Sequence, residues 1–265
     1  MLDSLKHLLK DMESVLVAYS GGVDSTFLLK VAKDTLGDKV LAVIAESPTY
    51  PESEVRFAVA LCETLGVRRM VIETDEFSNE NFVANSSERC YFCKRELFSK
   101  LLGIAAQNGI SYVLDGSNHD DKSDFRPGNR AKDELGIRSP LQELGFAKQD
   151  IREFSKELGL PTWDKPSFAC LASRIPYGTR ITREILAGIE EGEKFLRFLG
   201  FKQLRVRHHG SIVRIEVDKD SIGRIMRDGI MDKISREFEK LGYTYVTLDL
   251  RGYRTGSMNE GITSR

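Results

Sequence analysis

The chain has 265 residues, room for one large domain or two modest ones, and 41% of them are apolar, which is enough for a real core. The 39 lysines and arginines nearly balance the 40 aspartates and glutamates; the resulting charge of -1 argues against a general nucleic-acid binder. No apolar run reaches the length of a membrane span, no secretory signal is visible, and the 4 cysteines are irregularly spaced, so a cytoplasmic chain without a disulfide scaffold is expected.

Leu5, Leu8, Leu9 and Met12 fall at helical spacing and predict an amphipathic helix over 2–12. Short apolar runs predict strands at 16–19, 40–45, 69–73 and 112–115. Helical patterns at 24–36, 52–65, 94–108 and 148–158 alternate with them. Such alternation implies an α/β fold, a parallel sheet with helices on both faces. Residues 116–145 are polar and lack a clear period, and read as a long functional loop. After Pro161 the pattern changes. A loop over 164–178 leads to a helix at 183–199, strands at 203–207 and 211–217 joined by a His208-His209-Gly210 turn, helices near 219–228 and 231–241, and a strand at 244–248. This predicts a domain over 1–165 and a small α+β domain over 166–265.

The hexad Ser20-Gly21-Gly22-Val23-Asp24-Ser25 joins the first strand to a helix. A glycine turn there exposes backbone N–H groups to a phosphate, and the helix N-terminus adds its positive dipole end. Ser20 and Ser25 can donate to phosphate oxygens, and Asp24 can help hold a metal. There is no GxxxxGK[ST] pattern and no lysine in the turn. An ordinary capped strand–helix turn is the bland alternative. The hexad resembles the pyrophosphate loop of the ATP pyrophosphatase superfamily, whose members split ATP into AMP and pyrophosphate.

Cys90 and Cys93 form C-Y-F-C just before a predicted helix, and Cys170 lies far downstream. This spacing suits two sulfurs on one metal, a redox dithiol, or plain reduced thiols. Three thiolates fit a cubane iron–sulfur cluster, or zinc with a fourth ligand such as His119. Cys62 lies on an apolar helical face and reads as core. Arg205 and Arg207 share one face of a strand, where a phosphate would suit both, with Arg174 joining them; the alternative is a solvated face paired to glutamates. His208 and His209 read as surface turn residues, and Glu190, Glu191 and Glu193 as a solvated helix face. Asp115 and Asn118 end a strand near the expected nucleotide site, Arg126 and Arg130 lie in a loop that could close over pyrophosphate, and Trp163 is a packing or stacking residue.

Taken together, SGGVDS at 20–25, ERCYFCKRELF at 88–98, DGSNHDD at 115–121, KPSFACLASRIPYGTRIT at 165–182, RVRHHG at 205–210 and DLRGYRTGSMN at 249–259 resemble the LarE family over nearly the whole chain. The resemblance implies an adenine nucleotide alpha-hydrolase-like PP-loop domain, with the second domain serving substrate binding or oligomerisation. It implies an ATP- and magnesium-dependent sulfur transferase for nickel-pincer nucleotide cofactor biosynthesis. The enzyme adenylates a carboxylate of pyridinium-3,5-biscarboxylic acid mononucleotide and converts it to a thiocarboxylate. One family type sacrifices the sulfur of a cysteine matching Cys170. The three-cysteine type implies a 4Fe–4S cluster on Cys90, Cys93 and Cys170, Mg2+ at Asp24, substrate phosphate at Arg174, Arg205 and Arg207, a sulfide source and a homo-oligomer. A tRNA thiolase, an amide-forming ligase and a nucleotide-binding regulator are the competing readings.

Overall fold

A computed structural model describes residues 1–122, 127–166, 169–227 and 229–254, which form two compact units, Met1–Phe168 and Ala169–Arg265. In the first unit, β1 (Val15–Ala18), β2 (Val40–Glu46), β3 (Arg68–Glu73) and β4 (Tyr112–Leu114) form a wholly parallel sheet of order β3-β2-β1-β4. Side chains alternate across it, as strand geometry requires. Val15, Val17, Ala42 and Ile44 face a core built with α1 (Leu2–Met12), α2 (Val23–Leu36) and α3 (Glu52–Thr64). Leu16, Leu41, Val43 and Val113 face the opposite core. The helices on both faces bury both sets, which explains the continuous apolar runs in β1 and β2.

After β3 come a short α4 (Glu80–Val83) and the long α5 (Arg89–Gln107), whose Leu97, Phe98, Leu101 and Ala105 cover the second face. The helix begins earlier than the sequence pattern predicts, so Cys90 and Cys93 sit inside its first two turns and not in a loop before it. The described part of the polar segment after β4 carries helical turns that its sequence does not suggest. It contains a 3-10 turn at His119–Lys122, α6 (Gly128–Glu134) and α7 (Pro140–Glu143) before α8 (Lys148–Glu157). These helices are too short to produce a readable apolar period.

The second unit packs α9 (Arg183–Phe198) on a three-stranded sheet of β5 (Leu204–His209), β6 (Ile212–Val217) and β7 (Tyr245–Leu248), with α10 (Lys219–Ile225) and α11 (Ile230–Lys240) between the last two strands. β5 and β6 are antiparallel, and β6 and β7 parallel. His208 and His209 continue β5 rather than forming its turn, which lies at Gly210 with φ of 66°. Among the described residues no helix is long and apolar enough to cross a membrane.

Candidate active site

The turn after β1 opens α2, and Gly22 is the helix N-cap. Gly21 has φ of 69°, and a Cβ there would lie 3.0 Å from the Cβ of Ala58 on α3, so both backbone and space require glycine. Ser20 Oγ and Ser25 Oγ are 3.0 Å apart, and Ser25 Oγ donates to the Gly22 carbonyl at 3.3 Å. Ser25 is buried at the first turn of α2, and the loop after β4 presses close against it. A Cβ on Gly116 would fall 2.9 Å from the Ser25 nitrogen.

Asp24 is held from a distant part of the chain. Lys148 Nζ, on the first turn of α8, donates to Asp24 Oδ2 at 2.6 Å. Asp24 Oδ1 is buried without a hydrogen-bond partner. A buried carboxylate oxygen left open at a helix N-terminus fits an oxygen-seeking magnesium ion. A second lysine, Lys165, donates to the Gly21 carbonyl at 3.1 Å, pairs with Glu54 at 2.7 Å and lies 3.9 Å from the centre of the Phe57 ring. Neither lysine was singled out by the sequence, because each meets the turn only through tertiary folding. Beside the turn, a recess of about 520 Å3 open to solvent is lined by apolar Val43, Ile44 and Val55 and by polar Ser20, Glu54 and Lys94. It lies beyond the carboxyl ends of β1 and β2, where parallel sheets bind ligands.

Asp115 and Asn118 serve the neighbouring loop. Asp115 accepts from the Ser117 N–H at 3.2 Å and the Ser117 hydroxyl at 2.6 Å. Asn118 is buried; its N–H donates to Asp121 at 3.0 Å and its side-chain oxygen accepts from Asp120 N–H at 2.9 Å. Arg130 pairs with Glu88 at 2.7 Å and lies 4.0 Å from the centre of the Tyr91 ring, while Arg126 lies outside the described residues. Trp163 is half exposed, and Lys156 Nζ lies 4.9 Å from its ring centre.

Cys90 and Cys93 stand three residues apart on α5, both partly exposed and reduced, as is Cys170; Cys62 is buried, as its apolar face predicts. Cys93 Sγ donates to Glu76 Oε1 at 3.8 Å, an acceptor shared with Thr74 Oγ1 at 3.0 Å. Glu76 is buried, and burial pushes its carboxyl above the usual range. Among the described residues no three His, Cys, Asp or Glu side chains are gathered in a metal-holding group, and His119 is exposed.

In the second unit the three predicted arginines have internal partners. Arg174 is fully buried; its Nε donates to Glu193 Oε1 at 2.9 Å, and its Nη1 donates to the carbonyls of Ala169 and Cys170, the latter at 2.9 Å. Arg207 donates to Glu216 at 2.9 Å and to the Ser173 carbonyl at 3.1 Å. Glu193, read from sequence as solvated, is fully buried because it falls on the inward face of α9 with Ile189 and Leu196. Burial opposes its ionisation, but the charges of Arg174, Arg197 and Arg205 outweigh that and hold its carboxyl below the usual range. Glu190 is half-buried and Glu191 exposed. Arg205 lies 5.0 Å from the centre of the Tyr253 ring, and burial with the nearby Arg174 charge pushes its guanidinium down to about 10.

The NAD synthase family model matches residues 2–99, which hold the glycine turn and the CxxC pair. The chain is 43% identical over 262 residues to an uncharacterized protein of Synechocystis, covering 99% of this chain and 98% of that one. It is also 43% identical over 256 residues to pyridinium-3,5-bisthiocarboxylic acid mononucleotide synthase of Lactiplantibacillus plantarum, covering 96% of this chain and 92% of that protein. An uncharacterized protein of Methanocaldococcus jannaschii is 31% identical over 257 residues, 96% of this chain and 97% of its own length. With a phosphate-type turn on a parallel sheet and full-length similarity of this kind, the chain belongs to the LarE family of ATP-dependent PP-loop enzymes.

Proposed function

We propose that the chain adenylates a carboxylate of pyridinium-3,5-biscarboxylic acid mononucleotide and replaces the activated oxygen with sulfur, as a step in nickel-pincer nucleotide biosynthesis. The observation that carries this reading is the glycine turn with the open, buried Oδ1 of Asp24 beside it. A carboxylate is a poor electrophile because oxide would have to leave; adenylation turns that oxygen into a good leaving group. The turn residues 20–22 offer backbone N–H groups to the phosphates, and the hydroxyls of Ser20 and Ser25 add donors. Asp24 would hold magnesium, which when bound neutralises charge on the phosphates. Arg205 and Arg207 would hold the substrate phosphate, since an anion relieves the like-charge crowding around Arg205. Arg174 would serve with them by fixing the Cys170 loop.

Cys90, Cys93 and Cys170 would hold a 4Fe–4S cluster, which when bound offers an open iron to carry sulfide. The donor set suits it: three reduced, partly exposed thiols, two of them on one helix. The first unit would be the ATP pyrophosphatase domain and the second the substrate and assembly domain of a cytoplasmic homo-oligomer fed by a sulfide source.

The test is pyrophosphate release by purified protein with ATP and the mononucleotide, with mass spectrometry of the product. Release that depends on the mononucleotide, with a thiocarboxylate product, is expected; release indifferent to it overturns the reading. Iron and acid-labile sulfide measured after oxygen-free purification test the cluster. About four of each, lost on Cys90→Ala, are expected. Absence of iron with loss of one sulfur from Cys170 per turnover would make that residue the donor.

A further inference from the structure

We propose that Glu76 is a positioning residue of the sulfur site: its Oε1 fixes the Cys93 sulfur at the carboxyl end of β3 before any metal arrives. The purpose of that contact rests on the cluster reading above; the contact itself does not.

Glu76 opens a 3-10 turn, Glu76–Ser78, shortly after β3, and is 2% exposed. Such a turn has no need of a carboxyl in the interior, and burying one costs stability. Its attachments are one-sided. Oε1 accepts from the Thr74 hydroxyl at 3.0 Å and from Cys93 Sγ at 3.8 Å, whereas Oε2 is buried without a hydrogen-bond partner. Ser47, which acts on the carboxyl from nearby, already shares its hydroxyl with Thr49 at 2.7 Å. Thr74 is in turn tied to the sheet, its N–H donating to the Glu46 carbonyl at 3.0 Å. The acceptor offered to the sulfur is thus anchored to the ends of β2 and β3, and not to the helix that carries the cysteine.

Docking of α5 does not require this contact. Cys93, Glu96 and Lys100 follow one another at spacings of three and four residues, so they share one face of the helix. Glu96 Oε1 accepts from the Asp75 N–H at 3.0 Å, Lys100 Nζ donates to the Glu73 carbonyl at 3.2 Å, and the two side chains pair at 3.0 Å. These partly exposed groups clamp the helix to the end of β3, and Leu97, Phe98 and Leu101 pack it onto the sheet. What Glu76 adds is a fixed direction for one sulfur of the CxxC pair. A cysteine side chain has three staggered χ1 positions, and a single anchored acceptor selects among them. Partners behind a metal-binding side chain orient it in the same way.

The experiment measures how fast iodoacetamide labels Cys90, Cys93 and Cys170 in the metal-free full chain kept from oxygen, with fragment mass spectrometry separating the two thiols of the C-Y-F-C segment. It compares the wild type with Glu76→Ala, Glu76→Gln and Glu96→Ala. Because the buried carboxyl costs stability, Glu76→Ala is expected to fold. It should label Cys93 about threefold faster or more, as loss of one weak hydrogen bond implies, with Cys90 and Cys170 unchanged. Glu76→Gln keeps an acceptor oxygen and should stay near the wild type, and Glu96→Ala should leave the ratio of Cys93 to Cys90 labelling unchanged. Equal acceleration of Cys90 and Cys93 in Glu76→Ala would make Glu76 a support of the helix and overturn the proposal. So would an unchanged Cys93 rate, or a Glu76→Gln chain that labels like Glu76→Ala. Iron bound after oxygen-free reconstitution reads the purpose separately: Glu76→Ala should hold less than the wild type and Glu76→Gln as much, and full loading of Glu76→Ala would overturn the assigned role. A wild-type chain that takes up no iron would overturn the cluster reading, while the thiol rates still decide the contact.

Discussion

The turn at 20–25 and the arginine group around Glu193 both suit an anion, yet they are made of opposite materials. The turn relies on backbone N–H groups, hydroxyls and a carboxylate with one oxygen left open. Its lysines come from elsewhere in the chain and remain partly exposed. The arginine group is charge packed against charge in the interior of its unit. Glu193 and Arg174 are fully buried, and Glu216 is fully buried between Arg207 and Arg214. A site of the first kind is completed by its ligand. In the second kind the charges complete one another, and removing any one exposes the rest to an interior that cannot solvate them.

Mutations should therefore separate the two regions by what they damage. The largest loss of stability is expected for Glu193→Ala, which leaves the buried Arg174 without its carboxylate and should cost about 3–5 kcal/mol in urea unfolding. Adding Arg174→Met should recover part of it; no recovery would mean that Glu193 matters as a packing group. Gly21→Ala should act the other way. Forcing Ala to φ of 69° should cost about 1–2 kcal/mol of stability, while mutual displacement of the turn and Ala58 should lower pyrophosphate release about 100-fold. A stability loss as large as that of Glu193→Ala, with activity retained, would erase the distinction.

pH should move the two units in opposite directions. Glu193 titrates below its unfolded value of about 4.3, so its stabilisation is complete above that value and is lost as pH falls through the folded one. Glu76 titrates above the same unfolded value, so the fold favours its protonated form, and stability falls as pH rises from about 4.3 through the raised folded value. Hydrogen exchange on peptides from each unit should show opposite slopes, each flattened by its own Glu→Gln variant. Parallel slopes would break the comparison. The smallest effect is expected for Arg56→Ala, whose exposed partner Glu52 lies 2.7 Å away on the same helix; it should change stability by less than about 0.5 kcal/mol and activity not at all.

The sheet was readable because its strands are short apolar runs separated by helical patterns, and local pattern is enough to identify both. The glycine turn was readable for the same reason. The Lys148–Asp24 pair was not, since it joins residues 124 apart that carry no mutual signature. Glu193 is a different case. Leu186, Ile189 and Leu196 mark a buried stripe on α9, and position 193 falls within it, so the helical period already placed this carboxylate inward. The residue type, usually solvated, argued against the position, and the position prevailed because three arginines compensate the buried charge. The first turn of α5 was not legible because its buried positions, Arg89 and Tyr91, are polar or amphipathic and extend no apolar period back from residue 94.

Arg174 grips the cysteine loop by the carbonyl oxygens of Ala169 and Cys170, and Arg207 grips the Ser173 carbonyl. None of these contacts uses the sulfur. Alkylation of the thiol is therefore expected to leave Arg174 and Arg207 with the same carbonyl partners. Chemical wear at position 170 would then register in the protein's mass and in what its thiol holds sooner than in the stability of the unit.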